Sequence, residues 1–328
     1  MQRKIGWAFG FPCLAIGGSL MSQPPMEGKW NVLTDFVYFV RDHVKNETLA
    51  FNPNICGDSC KKGVTLETSN LTKGFGGEPG IHVALDYQQE WNSLYEAGFL
   101  YVWDWNTTKT AKSKSSSLIY PFKDPSLASD FYLASEIAAY YQSQFYTLEL
   151  NYWRAFNLSK DSLLGFSGVG GIRYAHLNEL FELTSYKGTE FGNYDITTEN
   201  DLIGIQIGFL FSINAVKHVH CDLEGKVGVG LNRMSADSSL SVESKTVNIR
   251  KMKQQEFQSN IFAEALAGIG YNPLPYLDVH FGYQMLYFCG LALAPDQLST
   301  GSSITSFKMY RNGYVILHGM YAGLLFSF

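Results

Sequence analysis

The stretch from Tyr314 to Phe328 constrains the fold more than any other part of this chain. Counting in twos, Phe328, Phe326, Leu324, Ala322 and Met320 are all apolar, whereas Ser327, Leu325, Gly323, Tyr321 and Gly319 are smaller or mixed. Alternate side chains of a strand point to opposite faces, so one face here is greasy and the other need not be. A soluble protein seldom finishes on such a strand, because termini fray and bare edges aggregate. The competing reading is an ordinary edge strand of a soluble sandwich. A closed barrel in lipid removes the difficulty, since its last strand pairs with its first and its apolar face meets hydrocarbon.

The other end of the chain points the same way. Met1-Gln2-Arg3-Lys4 is a short basic start, and the apolar run Ile5 to Met21 follows, broken by Pro12, Cys13 and small residues. Gly17, Gly18, Ser19 and Ser22 stand just before Gln23-Pro24-Pro25. This is the layout of a secretory signal with a small-residue cleavage region. We therefore expect residues 1–22 to be removed on export and residues 23–328 to form the barrel. A retained membrane helix needs about 20 apolar residues, and this run is shorter and interrupted. No lipobox precedes Cys13, which argues against a lipid anchor.

Composition fits strands better than membrane helices. The chain is 46% hydrophobic yet has a mean hydropathy of −0.07, and it holds 20 Tyr, 23 Phe, 6 Trp and 31 Gly. Barrels average out in this way because lipid-facing and interior residues alternate, with aromatics in two girdles. A net charge of −5 and a pI near 5.8 argue against nucleic acid as a partner. Of the cysteines, Cys56 and Cys60 share a polar loop, and the spacing fits either a bridge or two free thiols. Cys221 and Cys289 fall on strands two apart, about 9–10 Å at the inter-strand spacing, which is beyond the reach of a disulfide.

Period-two patterning yields ten strands: Trp30 to Val40, Ile81 to Tyr87, Trp91 to Trp105, Gln144 to Arg154, Leu163 to Leu177, Leu202 to Ile213, His218 to Leu231, Phe257 to Tyr271, Tyr276 to Cys289 and Tyr314 to Phe328. In the sixth, Ile203, Ile205, Ile207, Phe209 and Phe211 share one face against Gly204, Gln206, Gly208 and Ser212. A helix would not segregate those residues. The expected fold is an all-β, transmembrane, up-and-down antiparallel barrel of ten strands, with twelve if an outer loop carries a further hairpin. Four tight turns and five long loops alternate, so both chain ends fall on the tight-turn side. The loop from Asn106 to Ser143 leaves room for a short helix over Ser129 to Tyr141, and Thr107 to Ser117 and Ser235 to Lys245 read as free surface loops.

The same parity sets Asp35, Asp86, Glu96, Glu149, Asp222, Glu224, Glu264 and Asp278 on the interior face, against Arg173 and Lys226. An acidic excess lining a water-filled pore attracts cations and repels anions. The contrary arrangement is a closed interior in which these groups pair with one another, as in small filled barrels. His218 and His220 stand two apart, half of a metal site, but no third ligand is identifiable, so no metal or other cofactor is expected. His176 is a candidate base with no motif around it, and no catalytic constellation stands out.

Several segments carry a family resemblance: Gly165 to Phe181 (GFSGVGGIRYAHLNELF), Glu199 to Phe209 (ENDLIGIQIGF), Ala292 to Leu298 (ALAPDQL), His318 to Phe328 (HGMYAGLLFSF) and the opening Asn31 to Asp42 (NVLTDFVYFVRD). In order and along nearly the whole mature chain, they resemble the Legionella-type pore-forming major outer-membrane proteins. The closing strand is also similar to that of bacterial outer-membrane barrels in general, where a terminal aromatic serves as the assembly signal. The resemblance implies a porin in a Gram-negative outer membrane, passing ions and small hydrophilic solutes, and the interior acidic excess adds a mild cation preference. It also implies that Phe328, Phe326 and Leu324 are read by the barrel-assembly machinery. A non-conducting surface barrel, acting as adhesin or anchor, is the alternative. The partners are then outer-membrane lipid and small solutes, and the sequence leaves an oligomer open.

Overall fold

The computed structural model describes residues 29–42, 45–55, 63–90, 92–121, 129–156, 163–216, 218–242, 247–298 and 309–328. The expected signal segment with Cys13, and the pair Cys56 and Cys60, lie outside the described residues. In chain order the strands are β1 (Lys29–Asp42), β2 (Thr48–Phe51), β3 (Val64–Glu67), β4 (Glu78–Glu90), β5 (Ser93–Lys112), β6 (Leu118–Ile119), β7 (Tyr132–Ala134), β8 (Glu136–Ala155), β9 (Leu164–Lys187), β10 (Glu190–Val216), β11 (Val219–Val242), β12 (Val247–Leu274), β13 (Leu277–Leu291) and β14 (Gly313–Ser327). One short helix, α1 (Thr68–Thr72), follows β3.

Ten of these strands close into an antiparallel transmembrane barrel in the order β1-β14-β13-β12-β11-β10-β9-β8-β5-β4. Closure pairs the first barrel strand with the last over twelve positions, from Asn31 opposite Ser327 to Asp42 opposite Ile316. Backbone bonds of 3.0 Å between Trp30 and Phe328, in both directions, complete the seam. The additional hairpin elements lie outside the barrel, where β3-β2-β6-β7 form a separate four-stranded sheet over the upper rim. The barrel therefore stays at ten strands.

The outer face carries the apolar band expected from period two. Ile203, Ile205, Ile207 and Phe209 on β10, Leu223, Val227, Val229 and Leu231 on β11, and Phe326, Leu324 and Met320 on β14 are all exposed. Interior positions alternate with them, and Gly204 and Gly228 face inward where the Phe262 ring fills the space a Cβ would take. Cys221 and Cys289 are free and sit on β11 and β13, with β12 between them.

Three expectations are corrected above the band. Strands β5 and β8 to β12 run far past their expected ends, so Thr107 to Lys112 and Ser235 to Val242 are strand and not free loop. The segment Glu136 to Tyr141 belongs to β8, and only Ser129–Phe131 is helical, as a single 3-10 turn. On β5 a register shift between Val102 and Trp105 turns Trp105 inward and sets Asp104 on the outer row, where Gln142 donates to it at 2.6 Å. The physical cause of the longer strands is a change of phase. Past the lipid the inner face becomes apolar (Leu177, Phe181 and Leu183 on β9, Tyr194 and Ile196 on β10, Met234 and Ala236 on β11, all buried). The outer face there becomes polar, with Glu182, Asn193, Asp195 and Ser239.

Candidate functional site

All ten sequence-expected interior residues project into the barrel. Asp35, Asp86, Glu96, Arg173, Asp222, Glu224, Lys226, Glu264 and Asp278 are buried, and the Glu149 side chain keeps only 12% exposure. In the middle of the barrel Arg173 on β9 bonds both Glu149 on β8 and Glu264 on β12. Lys226 on β11 reaches Glu224 at 2.7 Å and Glu149 at 3.4 Å. Gln206 donates to Glu149 at 2.8 Å, Gln284 donates to Glu264 at 2.7 Å and Asn151 donates to Glu96 at 2.7 Å. Burying a charge is costly unless it is paired and hydrogen-bonded, and this core meets most of that requirement internally.

Below lies a chain of alternating carboxylates and imidazoles that sequence reading saw only in part. His82 Nδ1 lies 2.9 Å from Asp35, and Asp35 lies 2.6 Å from His280 Nε2. His280 Nδ1 lies 3.0 Å from Asp278. His220 Nε2 stands 3.1 Å from Asp222 and 3.8 Å from Asp278, and Ser212 donates to Asp222 at 2.6 Å. His280 thus bridges two carboxyl groups, with one at each ring nitrogen. His218 and His220 do not form a pair. His218 occupies the turn with φ 69°, and His220 is buried in the interior rather than solvated at the rim. Parity alone would have found His82 and His280.

Above the charged core the interior is packed with aromatic rings. Phe288 lies 5.3 Å from Phe145 and 6.0 Å from Phe262, ring centre to ring centre. Over this layer sits the segment after β13. Ala292, Leu293, Ala294 and Pro295 are buried, so the stretch Ala292 to Leu298 folds into the mouth as a cap. Asn200 on β10 exchanges two bonds with Ala292, at 2.9 and 2.8 Å. Asn232 donates to Gly290 O at 2.8 Å, and Glu179 accepts the Ala294 N–H at 2.8 Å. Arg41 on β1 bonds the same Glu179 and lies over the Phe75 and Tyr141 rings, 5.8 and 5.3 Å from their centres. Neither Arg41 nor Glu179 was singled out by the sequence, although both continue the inward parity of Asp35 and Arg173.

His176 is on the outer wall, not in the mouth. Its Nδ1 lies 2.8 Å from Asp201, Tyr174 donates to Asp201 at 2.7 Å, and the ring stacks on Tyr146. His318 holds the equivalent outward position on β14, bonded to Tyr283 and 3.0 Å from Asp42. Among the described residues no histidine faces the extracellular opening. A cavity of about 390 Å³ lies above the rim, walled by Phe51, Val64, Tyr120, Pro121 and Leu298. At the tip of the β9–β10 hairpin Tyr186 and Phe191 are direct cross-strand partners. They are exposed together with Tyr132 and Leu133 of β7, whose neighbour Ser135 bonds the Tyr186 carbonyl.

Comparison with known proteins adds the fold and stops there. No family model and no curated protein matches the sequence. Among solved structures, the outer membrane protease OmpT from Escherichia coli aligns with a TM-score of 0.50 at 10% identity, over 92% of this chain and 97% of that one. The shared feature is the fold. The attachment invasion locus protein Ail of Yersinia pestis aligns at a TM-score of 0.26 and 10% identity, over 92% and 100% of the two chains. A Pseudomonas aeruginosa FadL homologue aligns at 0.28 and 6%, over 98% and 93%.

Proposed function

We propose that this chain is an outer-membrane barrel with a closed interior, exported through its first 22 residues, that works at its extracellular face as a binding or anchoring protein. The observation that carries this reading is the burial of the interior charges. A diffusion pore needs a water-filled path, yet the charged core, the aromatic layer and the Ala292 to Leu298 cap follow one another along the axis. Small barrels fill their interiors with side chains in the same manner. The exposed Tyr132, Leu133, Tyr186 and Phe191 supply a contact surface standing clear of the lipid band. In this reading Phe328, Phe326 and Leu324, all on the outer face of the closing strand, engage the assembly machinery before β14 meets β1.

The second reading is a porin with mild cation preference, favoured by the excess of interior carboxylates over Arg173 and Lys226. Planar-bilayer recording of the refolded chain under a KCl gradient separates the two. We expect insertion without conductance. Discrete steps with a cation-side reversal potential would replace our reading by the porin. Attachment is the complementary assay, in which Tyr186→Ser with Phe191→Ser should abolish binding of cells bearing the barrel and leave its insertion unchanged.

A further inference from the structure

Of the eight interior carboxylates expected from the sequence, six have a cationic or imidazole partner. Asp35, Asp222 and Asp278 lean on His82, His220 or His280. Glu149, Glu224 and Glu264 lean on Arg173 or Lys226. Asp86 and Glu96 make no ion pair among the described residues. They are directly opposed in register on β4 and β5, where like charges repel. The same row continues across the closing seam, with Asn31 on β1 opposite Asp86 and Ser327 on β14 opposite Asn31.

Each member of that row has a buried polar atom without a partner: Asp86 Oδ1, Glu96 Oε2, both side-chain atoms of Asn31 and Ser327 Oγ. Asn31 is 0% exposed and Asp86 2%. Among the described residues the one hydrogen bond to the pair comes from Asn151, at 2.7 Å to Glu96 Oε1. Four neighbouring strands thus present unsatisfied oxygens on one inward row, with no soft ligand among them. Two carboxylates, an amide carbonyl and a hydroxyl are the donors a hard cation takes.

We propose that Asp86, Glu96 and Asn31, with Ser327 at the edge, bind a calcium-class divalent cation at the lower end of the barrel. Calcium fits better than magnesium, because it accepts irregular sets of six to eight oxygens and sheds water more readily. The row lies a few residues from the β4–β5 turn and from the end of β14, so the ion enters from the rim that carries the chain ends. Bound there, it offsets the charge of the two carboxylates and ties β14 and β1, the closing seam, to β4 and β5.

The test is calorimetric titration of CaCl2 into the refolded full chain in detergent micelles, after chelator treatment, with Glu199→Gln at the exposed upper rim as control. One saturable equivalent is expected in the wild type and in the control. Asp86→Asn should weaken it at least tenfold, and Asp86→Asn with Glu96→Gln should abolish it. Calcium should also raise the temperature at which the wild-type barrel unfolds on a denaturing gel, and leave the double variant unmoved. Absence of saturable uptake by the folded wild type overturns the proposal and leaves a proton shared by the carboxylates. Equal uptake by the double variant, or loss in the control, assigns the ion to the surface and overturns it as well. If the double variant does not fold, Asn31→Ala is read instead, and unchanged affinity in that variant defeats the site.

Discussion

Arg41 and Glu179 meet across the barrel mouth although 138 positions separate them in the chain. Their strands, β1 and β9, lie on far sides of the ring, and both side chains are fully buried. Glu179 also accepts from Tyr141 at 2.9 Å and from the Ala294 backbone, so one carboxylate ties wall, core and cap together.

Arg41→Ala should therefore act on the cap and on the barrel together. Removing one partner of a buried pair leaves an uncompensated charge, which costs about 3–5 kcal/mol. We expect a clear fall in the unfolding temperature and faster protease cleavage within residues 292–298. Glu179→Gln should release the cap with a comparable loss, since it leaves the Arg41 charge buried and unpaired. Unchanged cleavage in both variants would mean that the cap is held elsewhere.

The cap should also loosen as pH rises. Burial, and then the nearby charge of Glu179, push the Asp296 carboxyl up to about 6 from an ordinary value of 3.8. A carboxyl raised in its folded seat favours the protonated form there. The seat carries no penalty below about pH 4, weakens as pH climbs through 6, and stays weaker above. At 1.36 kcal/mol per pH unit the full effect is roughly 2–3 kcal/mol. Cleavage of the cap segment at pH 5 and pH 8, at constant ionic strength, should differ in the wild type and be flat in Asp296→Asn. A faster rate at pH 5 would contradict the assignment.

Arg173 tests whether the charged core is structural. Arg173→Ala leaves Glu264 without its ion-pair partner and Glu149 with Lys226 alone, and we expect a loss of about 3–5 kcal/mol. The combination Arg173→Met, Glu149→Gln and Glu264→Gln removes the charges together and should recover much of that stability, because replacing a buried ionic cluster is often neutral. Denaturant unfolding in micelles reads both. A combined variant no better than Arg173→Ala would mean that packing around the guanidinium, including Phe262 at 5.5 Å, matters more than charge.

The lower half of the barrel was legible because lipid enforces one simple rule, apolar outward and mixed inward. Ile203, Ile205 and Ile207 against Gly204 and Gln206 could be assigned by counting in twos, and so could the ten charges of the lower interior. The upper half was not legible, because the rule inverts where β8 to β12 leave the lipid. On β9 the row Leu177, Glu179, Phe181 and Leu183 stays inward, but its partners Asn178, Glu182 and Thr184 now meet water, and the mixture reads as loop. What fills the mouth was equally hidden. Ala292 to Leu298 is short, apolar and proline-bearing, and nothing local in it states that Asn200 and Glu179 will bind its backbone. Pairing among the charges was beyond parity too, because parity gives a face and not a partner.

The inversion itself can be measured by placing the same charge at two heights on the outer face. Ile205 on β10 lies in the apolar band between Val229 and Ile172 and is exposed. Ser239 faces outward on β11 opposite Asp195, and it donates to that carboxylate at 3.3 Å. A lysine near the bilayer midplane of a barrel costs about 2–4 kcal/mol, whereas one near or beyond the interface costs about 0–1. Ile205→Lys should therefore lower stability in lipid vesicles by several-fold more than Ser239→Lys. The latter gains a nearby carboxylate and should be close to neutral. Similar losses at both positions would place Ser239 within the hydrocarbon, and the long strands would then have to lie along the membrane and not rise from it.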